Sequence, residues 1–326
     1  MKIYGEKESG KKNLLLIMPF FMGYHNKLKQ ELQKKYEVTL INSEQFDQEI
    51  LDEYLPCSKL RWGVRHLFKA YHVHEQEVIQ GRFYGKLCDL IEKKRNFYQI
   101  IFCINGAYIP NIFYQTLKDY NPNARFIYYA WDDIANLFKN SHIKFFNEKY
   151  GYNVNECREK KLTYLPMFVQ SEEVGHNDEN RYDIMYIASA HSDRKEVASN
   201  LYNKYKDKYR LFIYLYDPEH SGGQFCQEKP IDYEEYINIM RQSKALLDVQ
   251  HIKQEGPTTR AFDALLTKTK VITTNQHIKD YPVYSDNILV VNRDNIEIDE
   301  EFMEKSYVDN DYKALTISMW LDEMGL

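Results

Sequence analysis

Short apolar runs of strand length alternate with helix-like segments along this 326-residue chain, and this alternation constrains the fold more than any other feature. Helical spacing of apolar residues fills most of the intervals between the runs. Such alternation is typical of parallel sheets covered by helices. The sequence therefore predicts an α/β protein with two successive sheet-containing domains. The runs lie in two blocks, at 13–19, 37–41, 98–104, 125–130 and 149–152, and at 182–188, 210–216, 245–249, 271–274 and 287–291.

A polar segment separates the two blocks. Residues 171–181, SEEVGHNDENR, show no apolar periodicity, which is typical of a linker. We therefore place an N-terminal domain at 1–170 and a C-terminal domain at 182–300. Residues 301–326 include a final amphipathic helix, predicted at 311–324. Ligands of parallel sheets bind beyond the carboxyl ends of the strands, so two facing sheets imply a cleft between the domains.

Composition argues against several classes of protein. The longest apolar runs, 14–21 and 97–104, are far shorter than the roughly 20 residues that span a bilayer. The opening residues MKIYGEKESGKKN are charged and polar, so we expect no secretory signal. Five scattered cysteines without a CxxC pair suit a reducing cytoplasm and argue against a disulfide framework or a zinc knuckle. A net charge of −5 gives no overall basic field for nucleic acid.

The segment EGPTTRAFDALLTKTKVITTN, residues 255–275, carries the clearest chemical signal. A helix that begins near Thr258 and Thr259 leaves its first N–H groups unpaired, and with the helix dipole these attract a phosphate. Gly256 allows close backbone approach, and Asp263 lies about one turn further, where a carboxylate can accept hydrogen bonds from ribose hydroxyls. The same spacing fits an ordinary helix capped by Thr259. The residues alone leave both interpretations open.

The segment resembles the nucleotide-sugar site of glycosyltransferases with the GT-B fold. In that family an acid, a glycine-containing turn and a second acid eight residues later lead into a helix and a strand. Here the acids are Glu255 and Asp263, with Asp where the family usually has Glu, and KVITTN at 270–275 is the strand. The segment DIMYIASAHSDR, 183–194, is similar to the first strand and loop of the C-terminal domain in bacterial capsule and lipopolysaccharide transferases. YAWDDI, 129–134, is similar to a strand end in their N-terminal domain, so the resemblance covers most of the chain.

The resemblance implies a specific architecture and specific site residues. The architecture would be α/β, with two Rossmann-like domains facing across a cleft, the GT-B fold. The N-terminal domain would bind the acceptor, the C-terminal domain the donor, and the last helix would pack back on the N-terminal domain. Such enzymes usually need no catalytic metal and no further cofactor. The implied donor residues are Asp263 at the ribose, Glu255 at the donor-sugar hydroxyls, Thr258, Thr259 and Arg260 at the diphosphate or sugar, and Arg194 and His191 at the departing diphosphate.

Activation of an acceptor needs a carboxylate or an imidazole close to the reacting hydroxyl. Two loops that follow predicted strands of the N-terminal domain offer one: PFFMGYHN at 19–26 with His25, and WDD at 131–133 with Asp132. We place Asp132 ahead of His25. His25 could instead pack against the next helix, and Asp133 could be a simple helix cap. Neither residue need act as a base if the reaction retains the anomeric configuration.

Two patterns contain residues that could bind a metal, but each has a simpler explanation. HVHE at 72–75 would place its side chains on different faces of a helix, and DND at 309–311 fits a helix cap, so we predict no metal site.

The stretch SKLRWGVRHLFKAY at 58–71 combines basic and apolar residues. It could lie on an anionic membrane or hold acceptor phosphates. An ordinary surface helix with its apolar side in the core is the simpler explanation, and we favour it.

These features together predict a cytoplasmic bacterial glycosyltransferase that could contact the inner face of the plasma membrane through 58–71. It would transfer a sugar from a nucleotide-activated donor to a surface glycan of the capsule, O-antigen or lipopolysaccharide, without a metal. The expected partners are a nucleotide sugar and a glycan or lipid-linked glycan acceptor, and no nucleic acid. Two alternatives remain: a GT-B-like sugar-nucleotide epimerase, and a nucleotide- or glycan-binding protein without turnover.

Overall fold

The computed structural model describes most of the chain, and its residues form two compact units. One unit comprises 1–151 and 156–163, and the other comprises 152–155 and 164–326. The predicted membrane stretch 58–71 and the HVHE pattern lie outside the described side chains. The described ranges are 10–43, 69–93, 95–137, 139–170, 175–177, 180–251, 254–309 and 316–326, with side chains of the second range described from residue 81.

The first unit is built on one six-stranded sheet in the order β2-β1-β3-β4-β5-β6. The pairs from β2 to β5 are parallel. Strand β3 is buried along its whole length, as expected for a central strand that helices cover on both faces. The strands are β1 (Lys12–Met18), β2 (Tyr36–Asn42), β3 (Ile100–Ile104), β4 (Arg125–Ala130), β5 (Glu148–Gly151) and β6 (Thr163–Tyr164), and the helices are α1 (Tyr24–Gln33), α2 (Lys69–Lys93), α3 (Asn111–Tyr120) and α4 (Val154–Lys160).

The second unit repeats this design with a six-stranded sheet in the order β12-β11-β10-β7-β8-β9. All of its strand pairs are parallel. The strand order reverses between β7 and β10, and ligands of parallel sheets bind at such switch points. The strands are β7 (Tyr182–Ser189), β8 (Leu211–Tyr216), β9 (Cys226–Gln227), β10 (Ser243–Asp248), β11 (Lys270–Thr273) and β12 (Ile288–Val290), and the helices are α5 (Arg194–Tyr205), α6 (Tyr233–Arg241), α7 (Thr259–Leu266), α8 (Glu300–Glu304) and α9 (Ile317–Glu323).

The predicted fold class, α/β with two Rossmann-like domains, is confirmed by these two sheets. Strand β4 and helices α5 and α7 have the predicted bounds. In each unit a hydrophobic cluster joins side chains of the sheet to side chains of the helices, and most of its residues are almost fully buried.

Helix α1 begins at Tyr24, inside the loop that the sequence predicted at 19–26. Met22 and Gly23 have positive φ values of 40° and 80°, and this left-handed pair turns the chain sharply after strand β1. Tyr24 is then buried in the first helical turn. His25 therefore lies on the helix and not in the preceding loop.

The last helix, α9, packs through Trp320. The indole N–H donates to the carbonyl of Pro166 at 2.9 Å, and the ring lies 4.6 Å from that of Phe168. The sequence-based boundary assigned both of these residues to the N-terminal domain, whereas in the structure they belong to the second unit. Residues 311–315 of the predicted helix lie outside the described ranges.

Candidate functional site

Asp248, at the carboxyl end of strand β10, organises the loop that sequence analysis singled out. Its side chain is almost fully buried and accepts hydrogen bonds from the Thr258 hydroxyl at 2.8 Å and from Nε of Arg260 at 3.1 Å. The Thr273 hydroxyl donates to its other oxygen at 3.2 Å, because Thr273 lies opposite Asp248 in the β10–β11 register. One carboxylate thus ties together the ends of two strands and the start of helix α7.

The turn before helix α7 lies tightly against an aromatic ring. A Cβ added to Gly256 would lie 2.1 Å from the ring of Tyr152, so no larger residue fits there without a shift. Thr258 occupies the N-cap position of α7, where the sequence suggested Thr259, but no side chain caps the helix. The N–H of Ala261 donates to the Thr258 carbonyl at 3.1 Å, so the dipole and the N–H groups of Thr259 and Arg260 are what this eight-residue helix offers to an anion.

Three arginines donate to the backbone just beyond strand β10. Arg194 and Arg260 both reach the carbonyl of Val249, at 3.1 and 3.4 Å, and Arg293 reaches that of Gln250 at 2.8 Å. These three residues, which we call the arginine cluster, come from the helix after β7, the helix after the glycine turn and the loop after β12. They converge on the switch point because every one of these segments follows a carboxyl end of the sheet.

The positive charge of the cluster is only partly balanced. Arg260 pairs with Asp248, and Arg293 makes a two-pronged pair with Asp193 at 2.6 and 2.7 Å. Arg194 is buried and has no carboxylate partner among the residues that the structure describes. Burial lowers the pKa of Arg194, and repulsion from Arg260 and Arg293 lowers it further, whereas Tyr186 and the nearby Asp248 act to raise it. A buried guanidinium in this setting calls for an added anion.

Two buried polar atoms beside the cluster lack hydrogen-bond partners. They are Nε of Arg194 and the hydroxyl of Tyr186, on strand β7. Burial raises the pKa of Tyr186 to about 12, although all three arginines act to lower it, so the hydroxyl stays protonated at neutral pH. Unpaired buried donors are costly, and each such group calls for an explanation. A bound anion would accept from both.

His191 lies on the loop before helix α5 and contacts Arg194. Its Nε2 is 2.9 Å from Nη1 of Arg194. A guanidinium can only donate, so Nε2 must accept and the imidazole carries its proton on Nδ1. Loss of hydration lowers the pKa of His191, and Arg194, His251 and Arg260 lower it further by repulsion. The imidazole is therefore neutral at neutral pH, and its Nδ1–H remains a donor.

The two acids of the motif have hydrogen-bond partners that differ from those of Asp248. Asp263 is buried one turn inside α7 and accepts a hydrogen bond from the Tyr233 hydroxyl at 2.7 Å. Glu255 is exposed and lies 3.4 Å from the Asn155 amide. The structure thus brings together Thr258, Arg260, Arg194 and His191 around the end of β10, while Thr259 begins the helix beside them.

Sequence analysis missed Asp248, Arg293, Asp193 and Tyr186. Asp248 was counted inside an apolar strand predicted at 245–249, although an acid at a strand end in this class of sheet is a signal in itself. Arg293 follows the last strand and would have been found by the same rule. Tyr186 could not be found, because it is one of 28 tyrosines and only the fold places it beside arginines.

In the first unit, Asp132 follows strand β4 and is held by Asn105. The Asn105 amide donates to Asp132 at 2.7 Å, and its oxygen accepts from the backbone N–H groups of Trp131 and Asp132. Asn105 has a φ of 59°, a left-handed conformation that asparagine tolerates better than most residues. The pKa of the Asp132 carboxyl group is raised, mainly because surrounding protein atoms reduce its hydration. The hydrogen bond from Asn105 acts to lower this pKa, and the negative charge of Asp133 acts to raise it.

A small aromatic pocket opens beside this carboxylate. It has a volume of about 190 Å³ and is lined by Met18, Pro19, Phe21, Tyr24, Trp131 and Asp132. His25 does not line it. The His25 ring stacks on Phe20 at 4.1 Å, and both burial and Lys29 lower its pKa. Asp133 starts a short 3₁₀ helix without capping it through its side chain.

Within the described part of the chain, no group of three or more acidic, histidine or cysteine side chains is placed to hold a metal. None of the described helices is long and apolar enough to cross a bilayer.

Comparison with known proteins places the fold but gives no close relative. No protein-family model matches the chain, and no curated protein sequence matches it. Among solved structures, S. aureus MnaA with UDP is similar with a TM-score of 0.51 and 9% identity, over 94% of this chain and 91% of that one. TcCGT1 with UDP has a TM-score of 0.48 and 8% identity, over 96% and 92% of the two chains. Phytolacca americana UGT2 with UDP-2-fluoro-glucose and pterostilbene has a TM-score of 0.44 and 8% identity, over 97% and 94%. The likeness to MnaA shows a shared fold along most of both chains.

Proposed function

We propose that this chain is a glycosyltransferase that uses a nucleoside-diphosphate sugar as its donor. The observation that carries the proposal is the arginine cluster at the switch point of the second sheet. Arg194 is buried there without a carboxylate, and its Nε and the Tyr186 hydroxyl have no acceptor. A diphosphate supplies both the negative charge and the acceptor oxygens that this site lacks.

A diphosphate fits this site better than a single carboxylate would. Guanidinium groups make forked bonds to phosphate oxygens, and the uncapped start of α7 adds a second source of positive potential. Arg260 and Arg293 also contribute positive potential at the site, even though each already pairs with an acid. UDP is the first nucleotide to test, because the similar MnaA structure contains it.

The nucleoside would be bound by the acids of the motif. We infer that Asp263 accepts hydrogen bonds from the ribose, with Tyr233 orienting its carboxylate. We infer that Glu255 reaches the hydroxyls of the donor sugar, and that Thr258, Thr259 and Arg260 face the diphosphate. Arg194 and His191 would stabilise the diphosphate as it departs, Arg194 through its charge and the unpartnered Nε, and neutral His191 as a hydrogen-bond donor.

The acceptor would be bound in the first unit, beside Asp132. The pocket there joins aromatic walls, which suit the apolar face of a sugar ring, to a carboxylate with a raised pKa. Asp132 would take the proton of the acceptor hydroxyl as it attacks the anomeric carbon. His25 is the second candidate for this role. We further propose a metal-independent reaction on a surface glycan of capsule, O-antigen or lipopolysaccharide in the bacterial cytoplasm, with contact to the membrane through 58–71.

A transfer assay tests this function directly. The protein is incubated with a panel of UDP-sugars and with lipid-linked and polymeric glycan fractions, and mass spectrometry follows both acceptor and nucleotide. We expect UDP to appear in the same amount as transferred sugar. Asp132→Asn should abolish transfer and leave UDP affinity unchanged, whereas His25→Ala should retain transfer.

The same assay separates the alternatives. Conversion of the donor to an isomeric sugar nucleotide, without release of UDP and without an acceptor, would identify an epimerase. Nucleotide binding with neither transfer nor isomerisation would identify a binding protein. Either result would contradict the transferase proposal.

A further inference from the structure

A large cavity lies beside the amino ends of the strands of the second sheet, whereas the arginine cluster lies beyond their carboxyl ends. It has a volume of about 770 Å³, and its lining includes the first residue of β11 and residues near the starts of β7, β8 and β10. Strands of this length separate the cavity from the arginine cluster by roughly 20 Å. We call it the lysine cavity after the five lysines that line it: Lys208, Lys244, Lys268, Lys270 and Lys305.

Lys270 is the buried member of this set, with 5% of its surface exposed. Its ammonium donates to the carbonyls of Phe302 and Lys305, at the end of helix α8. No carboxylate pairs with it among the described residues, and its remaining contact is with the ring of Phe302, 4.9 Å away. Burial lowers the pKa of Lys270, and Lys244 and Lys305 lower it further by repulsion. A charge in this position gains most from an anion in the adjoining cavity.

Three acids also line the cavity: Asp183, Glu300 and Glu304. Burial acts to raise the pKa of Asp183, but hydrogen bonds from Arg210 and Lys244 outweigh it and bring the pKa to about 2. Asp183 therefore stays ionised and engages Lys244 at 3.0 Å. The lining nevertheless contains more ammonium groups than carboxylates.

The remaining lysines have only weak partners. Lys268 pairs with Asp309 at 2.6 Å and Lys305 with Glu301 at 2.8 Å, and the acid of each pair is more than 70% exposed. Lys208 pairs with Glu300, whose side chain is 67% exposed. Exposed pairs contribute about 0–1 kcal/mol and are screened by salt. These lysines can therefore turn towards a multivalent anion at little cost in stability.

We propose that the lysine cavity is a second anion site that binds a phosphate-bearing small molecule. Lysines act as mobile point charges on phosphate oxygens, and the cavity has room for several of them to act on one ligand. The hydroxyl of Ser306, which also lines the cavity, adds a donor. The site does not share a residue with the arginine cluster, so its existence does not depend on the proposed function.

Calorimetric titration with inorganic pyrophosphate at low ionic strength tests the site. The titration uses the full chain carrying Arg194→Gln, which weakens pyrophosphate binding at the arginine cluster. We expect binding that the double change Lys268→Gln and Lys305→Gln weakens at least tenfold and that 0.5 M salt abolishes. Lys270→Met should weaken binding as strongly. The matched control is Lys206→Gln, an exposed lysine outside the cavity, which should have no effect.

Lys270 is buried, so its replacement could unfold the protein. The double change concerns exposed side chains and keeps the test decisive in that case. Absence of pyrophosphate binding in the folded Arg194→Gln protein would overturn the proposal. Binding whose affinity ignores the double change would also overturn it, because the anion would then occupy another site.

Discussion

The hydroxyl of Thr258, at the N-cap position of helix α7, donates to the carboxylate of Asp248 at the end of strand β10, at 2.8 Å. A threonine at this position more often accepts a hydrogen bond from its own helix, which stabilises the helix by about 1 kcal/mol. Here the threonine is held by the strand, and Asp248 also binds Arg260. The start of the helix is thus left uncapped beside a guanidinium, as an anion site requires.

Tyr186→Phe should affect ligand binding and stability in opposite directions. The hydroxyl is buried without a partner, so its removal should leave the free energy of unfolding unchanged or raise it by about 1 kcal/mol. If the hydroxyl donates to a diphosphate, UDP affinity should fall about fivefold, the effect of one hydrogen bond. Urea unfolding and calorimetry measure the two effects. The control is Tyr128→Phe, a buried unpartnered hydroxyl of the first unit that should not alter UDP binding. Unchanged UDP affinity in Tyr186→Phe would remove Tyr186 from the site.

Gly256→Ala should destabilise the second unit. The new Cβ would lie 2.1 Å from the Tyr152 ring, which is fully buried and cannot move away freely. Overpacking of this kind costs about 1–3 kcal/mol. Thermal unfolding should show a lowered Tm, and UDP affinity should fall with it. Gly85→Ala is the matched control, since nothing lies within 4 Å of its added Cβ in helix α2, and this change should stabilise the protein slightly. Equal Tm values for the two variants would contradict the close contact.

The pH dependence of turnover should report the state of Asp132. A general base acts only when ionised, so the rate should fall as pH drops through the raised pKa of this carboxyl group. The Asn105 hydrogen bond lowers that pKa, so Asn105→Gly should move the acidic limb of the profile to higher pH while tolerating the left-handed backbone. A limb that stays in place, or that persists in Asp132→Asn, would exclude Asp132 as the base.

Asp263→Ala should weaken UDP binding by about 1–3 kcal/mol, the range for a lost hydrogen bond to a charged group. Tyr233→Phe should have a smaller effect in the same direction, because the carboxylate remains and loses only its orienting partner. Asp232→Ala is the neighbouring control. Asp232 caps helix α6 through the N–H of Glu235, so its loss should lower stability without changing UDP affinity. Full UDP affinity in a folded Asp263→Ala protein would exclude the ribose contact.

The fold was predictable from sequence where the pattern was long and regular. Strand β4 and helices α5 and α7 matched because each has a clear apolar pattern with sharp ends. Helix α1 was misplaced because its start depends on left-handed backbone at Met22, a residue that rarely adopts it. The two-residue strands β6 and β9 and the five-residue helix α8 are too short to give a periodic signal.

The candidate site was only partly predictable. The loop and helix around Thr258 and Arg260 were visible because glycine, threonine and acid occur there at informative spacing. The partners that complete the site were not visible, because they are brought in by the sheet. Arg293 and Asp193 are one hundred positions apart in sequence and meet only in the folded unit. Lys270 was interpreted as the first residue of a strand, and its role at the end of helix α8 depends on tertiary packing.

Calorimetric titration with nucleotides tests the central claim most directly. Wild type and Arg194→Gln are titrated without added metal with UDP, GDP, CDP, ADP, dTDP and CMP. We predict that one nucleoside diphosphate, with UDP tested first, binds wild type and that Arg194→Gln weakens this binding at least tenfold, since a charge-assisted hydrogen bond contributes about 1.5–3 kcal/mol. If none of the nucleotides binds the folded wild type, or if the Arg194→Gln protein binds as tightly, the arginine cluster is not a diphosphate site and the proposed function loses its main support.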